Sequence, residues 1–203
     1  MSRRGRAAGP RTRLAALAVA ALAACGGVEL LGAAAPPRTT SRPPAPAPPR
    51  EPAPLPPSRP TALTIASIDV DSPLLPLGIA PDGTLDVPRP PHQDRAGWYT
   101  GSATPGEHGT AVILGHRDSR ASGPSVFYRL GTLEPGDRVR IDRADGTRAV
   151  FTVDAVRRHA KDDFPAAAVY GHTPYPSLRL ITCGGPFDDG HYLDNIVVYA
   201  HLS

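Results

Sequence analysis

Two side chains in this sequence have the chemistry for covalent catalysis. Cys183 closes the run SLRLITC (177–183) and is followed at once by Gly184-Gly185-Pro186; His116 stands just past a second apolar run, TAVILG (110–115). A thiol attacks carbonyl carbon well only as the thiolate, and a neighbouring imidazole raises that fraction or hands a proton to a leaving group. Placed at two strand ends of one rigid scaffold, the pair would stand at the mouth of a cleft where a substrate can reach it. On residue type and spacing alone, an inert thiol and a surface histidine fit equally well. Asp118 has the same two readings, orienting His116 or capping a turn. Gly184-Gly185 would either let the backbone donate an N–H to a substrate carbonyl or simply form a turn. His108 and His191 share no paired short ligand spacing with Cys183, so no metal site and no cofactor are expected.

The elements around these residues read as β almost throughout. LTIASIDV (63–70), DRVRID (137–142) and RAVFTVDAV (148–156) alternate apolar and polar residues, TAVILG is a short continuous run, and SLRLIT (177–182) and NIVVYAHL (195–202) follow in the same style. Turn chemistry separates them at Pro81-Asp82-Gly83, Pro135-Gly136-Asp137 and Ala144-Asp145-Gly146. Helical signals are brief, at 124–131 and 164–170. Many short strands with little helix indicate an all-β fold, a closed or nearly closed barrel.

The rest of the chain sets the compartment. Five arginines within 1–13 precede the apolar segment 14–35, the order of a membrane anchor or signal segment with its basic side in the cytoplasm. A single-pass anchor with the remainder outside is the expected arrangement. Leu22-Ala23-Ala24-Cys25 also resembles a lipobox, which would make the protein a lipoprotein anchored at Cys25. Residues 36–60 hold twelve prolines and read as a disordered polyproline-type spacer of about 75 Å reach, leaving 61–203 as one domain. That domain carries thirteen basic against seventeen acidic side chains, which excludes a basic groove for nucleic acid. Cys183 is its single cysteine, so it has no disulfide partner there.

Residues 61–203 resemble the sortases, cysteine transpeptidases of Gram-positive cell surfaces, and most of all their actinobacterial class F group. The resemblance runs through VDSPLLPLGIAPDGTLDVP (70–88), GWYTGSATPGEHGTAVILGHRDSRASGPSVFYRL (97–130), LEPGDRV (133–139), LITCGG (180–185) and HYLDNIVVYA (191–200). It implies an eight-stranded sortase barrel that cleaves an LPXTG-like sorting signal of secreted proteins. The acyl group then passes to an amine of peptidoglycan or a pilin. By position Cys183 would be the nucleophile and His116 the acid and base. Most sortases carry an arginine on the strand after the cysteine; here that position falls on Asn195. Arg179, Arg129 and Arg117 are the candidates to replace it in holding the oxyanion or orienting substrate. The missing arginine also motivates a catalytically impaired binding module, and an L,D-transpeptidase-like cross-linker is a further alternative, although Thr182-Cys183-Gly184 does not match that family's Ser-His-Gly-Cys pattern. Loops 86–97 and 157–176 are expected to govern specificity.

Overall fold

The computed structural model describes residues 52–81, 83–119 and 123–203. The basic leader, the apolar segment 14–35 and the spacer through residue 51 lie outside the described residues. Among those described, no helix is long and apolar enough to cross a membrane. The described residues form ten strands: β1 (Pro60–Ile65), β2 (Val70–Leu77), β3 (Ala96–Tyr99), β4 (Gly109–Leu114), β5 (Asp118–Ser119), β6 (Gly123–Pro124), β7 (Arg138–Arg143), β8 (Arg148–Ala160), β9 (Pro176–Asp188) and β10 (His191–Leu202). One short helix, α1 (Ala166–Tyr170), lies between β8 and β9. Eight strands close into a barrel in the order β1-β2-β3-β4-β9-β10-β8-β7, and β5 pairs with β6 in a small separate ribbon. Only β2 with β3 and β4 with β9 are parallel neighbours among these barrel pairs.

Alternation explains the barrel interior. Leu63 and Ile65, Val139 and Ile141, Phe151 and Val153, Leu178 and Leu180, and Val198 and Ala200 each occupy every second position of a strand and fill one core. The opposite face of β4, β9 and β10 is also buried: Val112, Leu114, Ile181 and Val197 pack outside the barrel beneath Val169 of α1. Strands covered on both sides read as continuous apolar runs, which accounts for TAVIL and LRLIT. Leu180 is fully buried in the interior. Leu180→Ala is therefore expected to cost about 2–5 kcal/mol through lost burial and a residual cavity, and to lower the Tm by on the order of 10 °C, measured by thermal unfolding.

Three expectations change. The run 63–70 is not one strand but two arms of a hairpin, reversed by a 3-10 turn at Ala66–Ile68 and by Asp69 in the left-handed region at φ 57°. Leu63, Ile65 and Val70 face inward on both arms, so the periodicity carries no trace of the reversal. Residues 124–131 form no α-helix: Pro124 is in β6 and only Leu130–Thr132 winds, as a 3-10 turn. The spacing of buried Phe127 and Leu130 mimics helical period, while both side chains pack into the barrel's core cluster.

The third concerns the spacer, which does not run free to residue 60. From Leu55 onward it lies against the barrel: Leu55 N–H donates to Gly106 O at 2.8 Å, Ser58 N–H to Thr104 Oγ1 at 3.1 Å, and Ala144 N–H to Arg59 O at 2.8 Å. Arg143, its side chain fully buried, donates from Nη2 to Pro56 O and from Nη1 to Thr147 Oγ1 at 3.0 Å. A proline-rich segment has carbonyls to offer but few N–H groups, so a buried guanidinium is a fitting partner.

Candidate active site

The parallel pairing of β4 with β9 runs the segments that carry the two chemically capable residues side by side. Leu114 is opposite Ile181, Gly115 N–H donates to Ile181 O at 3.2 Å, and Thr182 Oγ1 donates to Gly115 O at 2.8 Å. The last pair of the ladder is Leu114 with Ile181, so His116 and Cys183 each stand two residues beyond it on neighbouring parallel segments. On the other side of Cys183, β10 places Asn195 directly opposite.

Three rows therefore cross the outer face of β4, β9 and β10. Val112, Arg179 and Tyr199 make the first and Leu114, Ile181 and Val197 the second; in the third, Cys183 is paired with Asn195, and His116 lies two residues past the last β4–β9 pair. The second row is sealed in the apolar cluster under α1. The third is half-buried, so its polar groups sit on a dry floor while staying open to a ligand.

His116 is held from the far side as well. Its Nε2 lies 2.8 Å from Pro88 O. A carbonyl only accepts, so Nε2 carries the proton, and Nδ1 is the nitrogen left to exchange protons. Val87, Pro88, Arg89, Pro90, Gln93 and Ser119 join His116 around a mostly apolar open groove of about 450 Å³. A larger cavity of about 600 Å³ lies at the Pro176 end of β9, away from Cys183, and is lined in part by Pro52, Pro54, His108, Asp154, Tyr175 and His201.

The strand does not end at Cys183. β9 continues to Asp188, and its pairing with β10 slips between Tyr192 and Asp194, leaving one extra residue on β9. Gly185 occupies this bulge at φ 76°, where a Cβ would stand 2.0 Å from Asp194 Oδ2. The glycine is required by the bulge, which re-aims the chain just past the thiol.

The remaining candidates are positioned as follows. Arg179 lies on the Cys183 face with Ile181 between them; its guanidinium packs 4.5 Å from the Tyr199 ring centroid and Nη1 donates to Leu178 O at 3.0 Å. Burial pushes its pKa down, opposed by Tyr199, Tyr175 and Asp154. Arg129 Nη1 is bound by Asp69 Oδ2 at 2.7 Å, in a different groove lined by Ile68–Asp71 and Pro124–Val126. Arg117 lies over the rings of Tyr192, at 4.7 Å, and Tyr128, at 5.8 Å. Asp118 accepts a hydrogen bond from the Tyr192 hydroxyl at 2.6 Å, a partner unforeseen in the sequence, which offered it two roles, orienting His116 or capping a turn. That bond raises the Tyr192 pKa and keeps the phenol a donor. Of the three arginines considered, none joins the third row by strand register. Pro88 and Tyr192 are the site neighbours that pattern reading missed: one acts through its backbone, and the other lies past the bulge.

A closed eight-stranded barrel carries a half-buried free thiol on β9 and an imidazole just past the end of β4, its parallel neighbour. The sortase-domain family matches residues 63–203, and the chain belongs to the sortase family, whose members are cysteine transpeptidases. No match was found among curated protein sequences. Solved structures with the same fold include sortase A from Corynebacterium diphtheriae, with 22% identity over 72% of this chain and 61% of that one at a TM-score of 0.53. Sortase C1 from Streptococcus agalactiae has 21% identity over 70% and 66%, at 0.56. A Clostridium perfringens sortase D5 transpeptidase has 20% over 70% and 77%, at 0.51. The chain thus spans less than two thirds of the length of the first of these.

Proposed function

We propose that this domain is a transpeptidase of the class F type that cleaves an LPXTG-like sorting signal and passes the new carboxyl end to an amine. What supports this reading is the sortase-family match, with Cys183 paired opposite Asn195 and His116 just past the end of the neighbouring strand. In the first half-reaction the Cys183 sulfur attacks the scissile carbonyl, the S–C bond forms, and the C–N bond breaks as His116 gives a proton to the departing amine. In the second, an incoming amine loses a proton to His116 and attacks the thioester, so that a C–N bond forms and the S–C bond breaks. Two exchanges of moderate barrier replace one direct amide exchange. Asn195, opposite the sulfur, is suited to donate its amide N–H to the carbonyl oxygen as charge develops there. The apolar groove beside His116 suits an extended peptide. Outside the described residues, the arginine-rich leader and segment 14–35 would hold the domain at the outer face of the membrane, either as a spanning anchor or through a lipid on Cys25.

The full-length chain mixed with an LPXTG-type peptide is expected to gain the mass of the amino-terminal fragment on Cys183, and to release it as an amide when an amine such as diaminopimelate or oligoglycine is added. Intact-protein mass spectrometry reads both. A chain that acquires no such mass with a panel of sorting peptides would instead act as a binding module, the reading favoured by Asn195 in place of a guanidinium.

A further inference from the structure

We propose that Tyr192 and Asp118 are positioning residues for the Cys183 and His116 pair, closing a latch across the barrel mouth that fixes how the two strand ends stand relative to each other; this rests on the transpeptidase reading above. The β4–β9 ladder stops at Leu114 and Ile181, two residues before the reacting side chains. Past Gly115, which still bonds Ile181 O and Thr182 Oγ1, the two segments go separate ways. His116 O accepts from Phe127 N–H at 3.0 Å and Arg117 O from Ser125 N–H at 2.8 Å, which ties this side to the loop 125–127. The other side runs through the Gly185 bulge into the β9–β10 hairpin, turned at Asp189 (φ 42°) and Gly190 (φ 83°).

The side chains beyond the row rejoin the two. The Tyr192 hydroxyl donates to Asp118 Oδ2 at 2.6 Å, Arg117 stacks on the Tyr192 ring, and Arg117 Nε sits 3.9 Å from Asp118 Oδ2. Phe187 packs edge-on against Tyr192 at 5.0 Å between centroids, stiffening the hairpin end of the latch. The Asp118 and Arg117 side chains are under a third exposed, so this charge-assisted bond is screened less than a surface pair. None of these residues belongs to either apolar cluster, and the barrel closes without β5 or the hairpin tip. What the latch joins is the segment that carries the imidazole to the one that carries the sulfur.

A displacement of about 1 Å between reacting groups costs up to roughly a hundredfold in rate. Tyr192→Phe and Asp118→Ala are each expected to lower kcat for peptide transfer by about 10- to 100-fold with KM within about twofold. The double variant should fall no further than either single one, because both remove one interaction. Asp118→Asn, whose amide oxygen still accepts from the phenol, should recover most of kcat. Two readouts on the full-length chain do not need turnover: the pH profile of Cys183 alkylation by iodoacetamide should shift in Tyr192→Phe, and amide exchange across residues 184–192 should speed up. If the wild-type chain forms no acyl enzyme, the transpeptidase reading fails while these two readouts still judge the latch. The proposal is overturned if Tyr192→Phe leaves kcat and the alkylation profile unchanged, if the two substitutions add, or if KM rises at constant kcat, which would make Tyr192 a substrate contact.

Discussion

Replacing Cys183 with alanine is expected to abolish acyl capture and amine transfer, a loss on the order of a million-fold, as when the nucleophile of a covalent mechanism is deleted. The fold should survive. Cys183 is half-exposed on the outer face and belongs to neither apolar cluster, so removing its sulfur opens no cavity in the core. Backbone pairing on both sides is unaffected: the residue keeps Asn195 opposite it on β10, and Thr182 keeps its bond to Gly115 O. Thermal unfolding should place the variant within a few degrees of the wild type, while mass spectrometry shows no adduct from a sorting peptide. Cleavage that persists in this variant would put the nucleophile elsewhere and end the thioacyl reading. Cys183→Ser makes a second arm, because an alcohol at the same place lacks the accessible anionic form of a thiol.

How much of this was visible in the sequence depends on what each pattern reports. Periodicity reports which face a residue takes, and it found the strands β4, β7, β8, β9 and β10, together with the barrel class, because their inward residues repeat every second position. It says nothing about what stands opposite. The reversal at Ala66–Ile68 was invisible since both arms keep their apolar residues inward, and β3 was missed because four residues are too few to alternate. Proline content marked the spacer, but the ordering of residues 55–59 depends on Arg143, more than eighty residues away. At the site, the position of His116 just past an apolar strand was legible, while Cys183 stands inside β9, which runs on to Asp188; the parallel β4–β9 register that sets their two segments side by side is encoded by no local signal. Asp118 shows the same limit. A carboxylate two residues past a histidine suggested an intimate pair, whereas closure of the barrel offered it a phenol from the far end of the β9–β10 hairpin.

His116→Gln is the more discriminating test of the chemistry, because glutamine preserves the packing and removes only the proton exchange. The Gln amide can still donate to Pro88 O, the bond that Nε2 makes at 2.8 Å, so the 86–93 segment should stay in place. What disappears is the Nδ1 lone pair that would exchange the proton. General acid and base catalysis by a positioned imidazole contributes about 100- to 10,000-fold, and kcat for a peptide substrate is expected to fall by that much with KM little changed. The loss should depend on the leaving group. An amine departs only when protonated, whereas an activated thioester of the same acyl fragment needs no proton donor to leave. Acylation of Cys183 by such a thioester should therefore recover most of the rate in His116→Gln, and the wild type should gain far less from the exchange of substrates. Single-turnover mass spectrometry with the two acyl donors measures both rates. Equal loss on both would mean that the histidine governs the ionisation of the thiol rather than the departure of the amine, since thiolate supply is common to the two reactions.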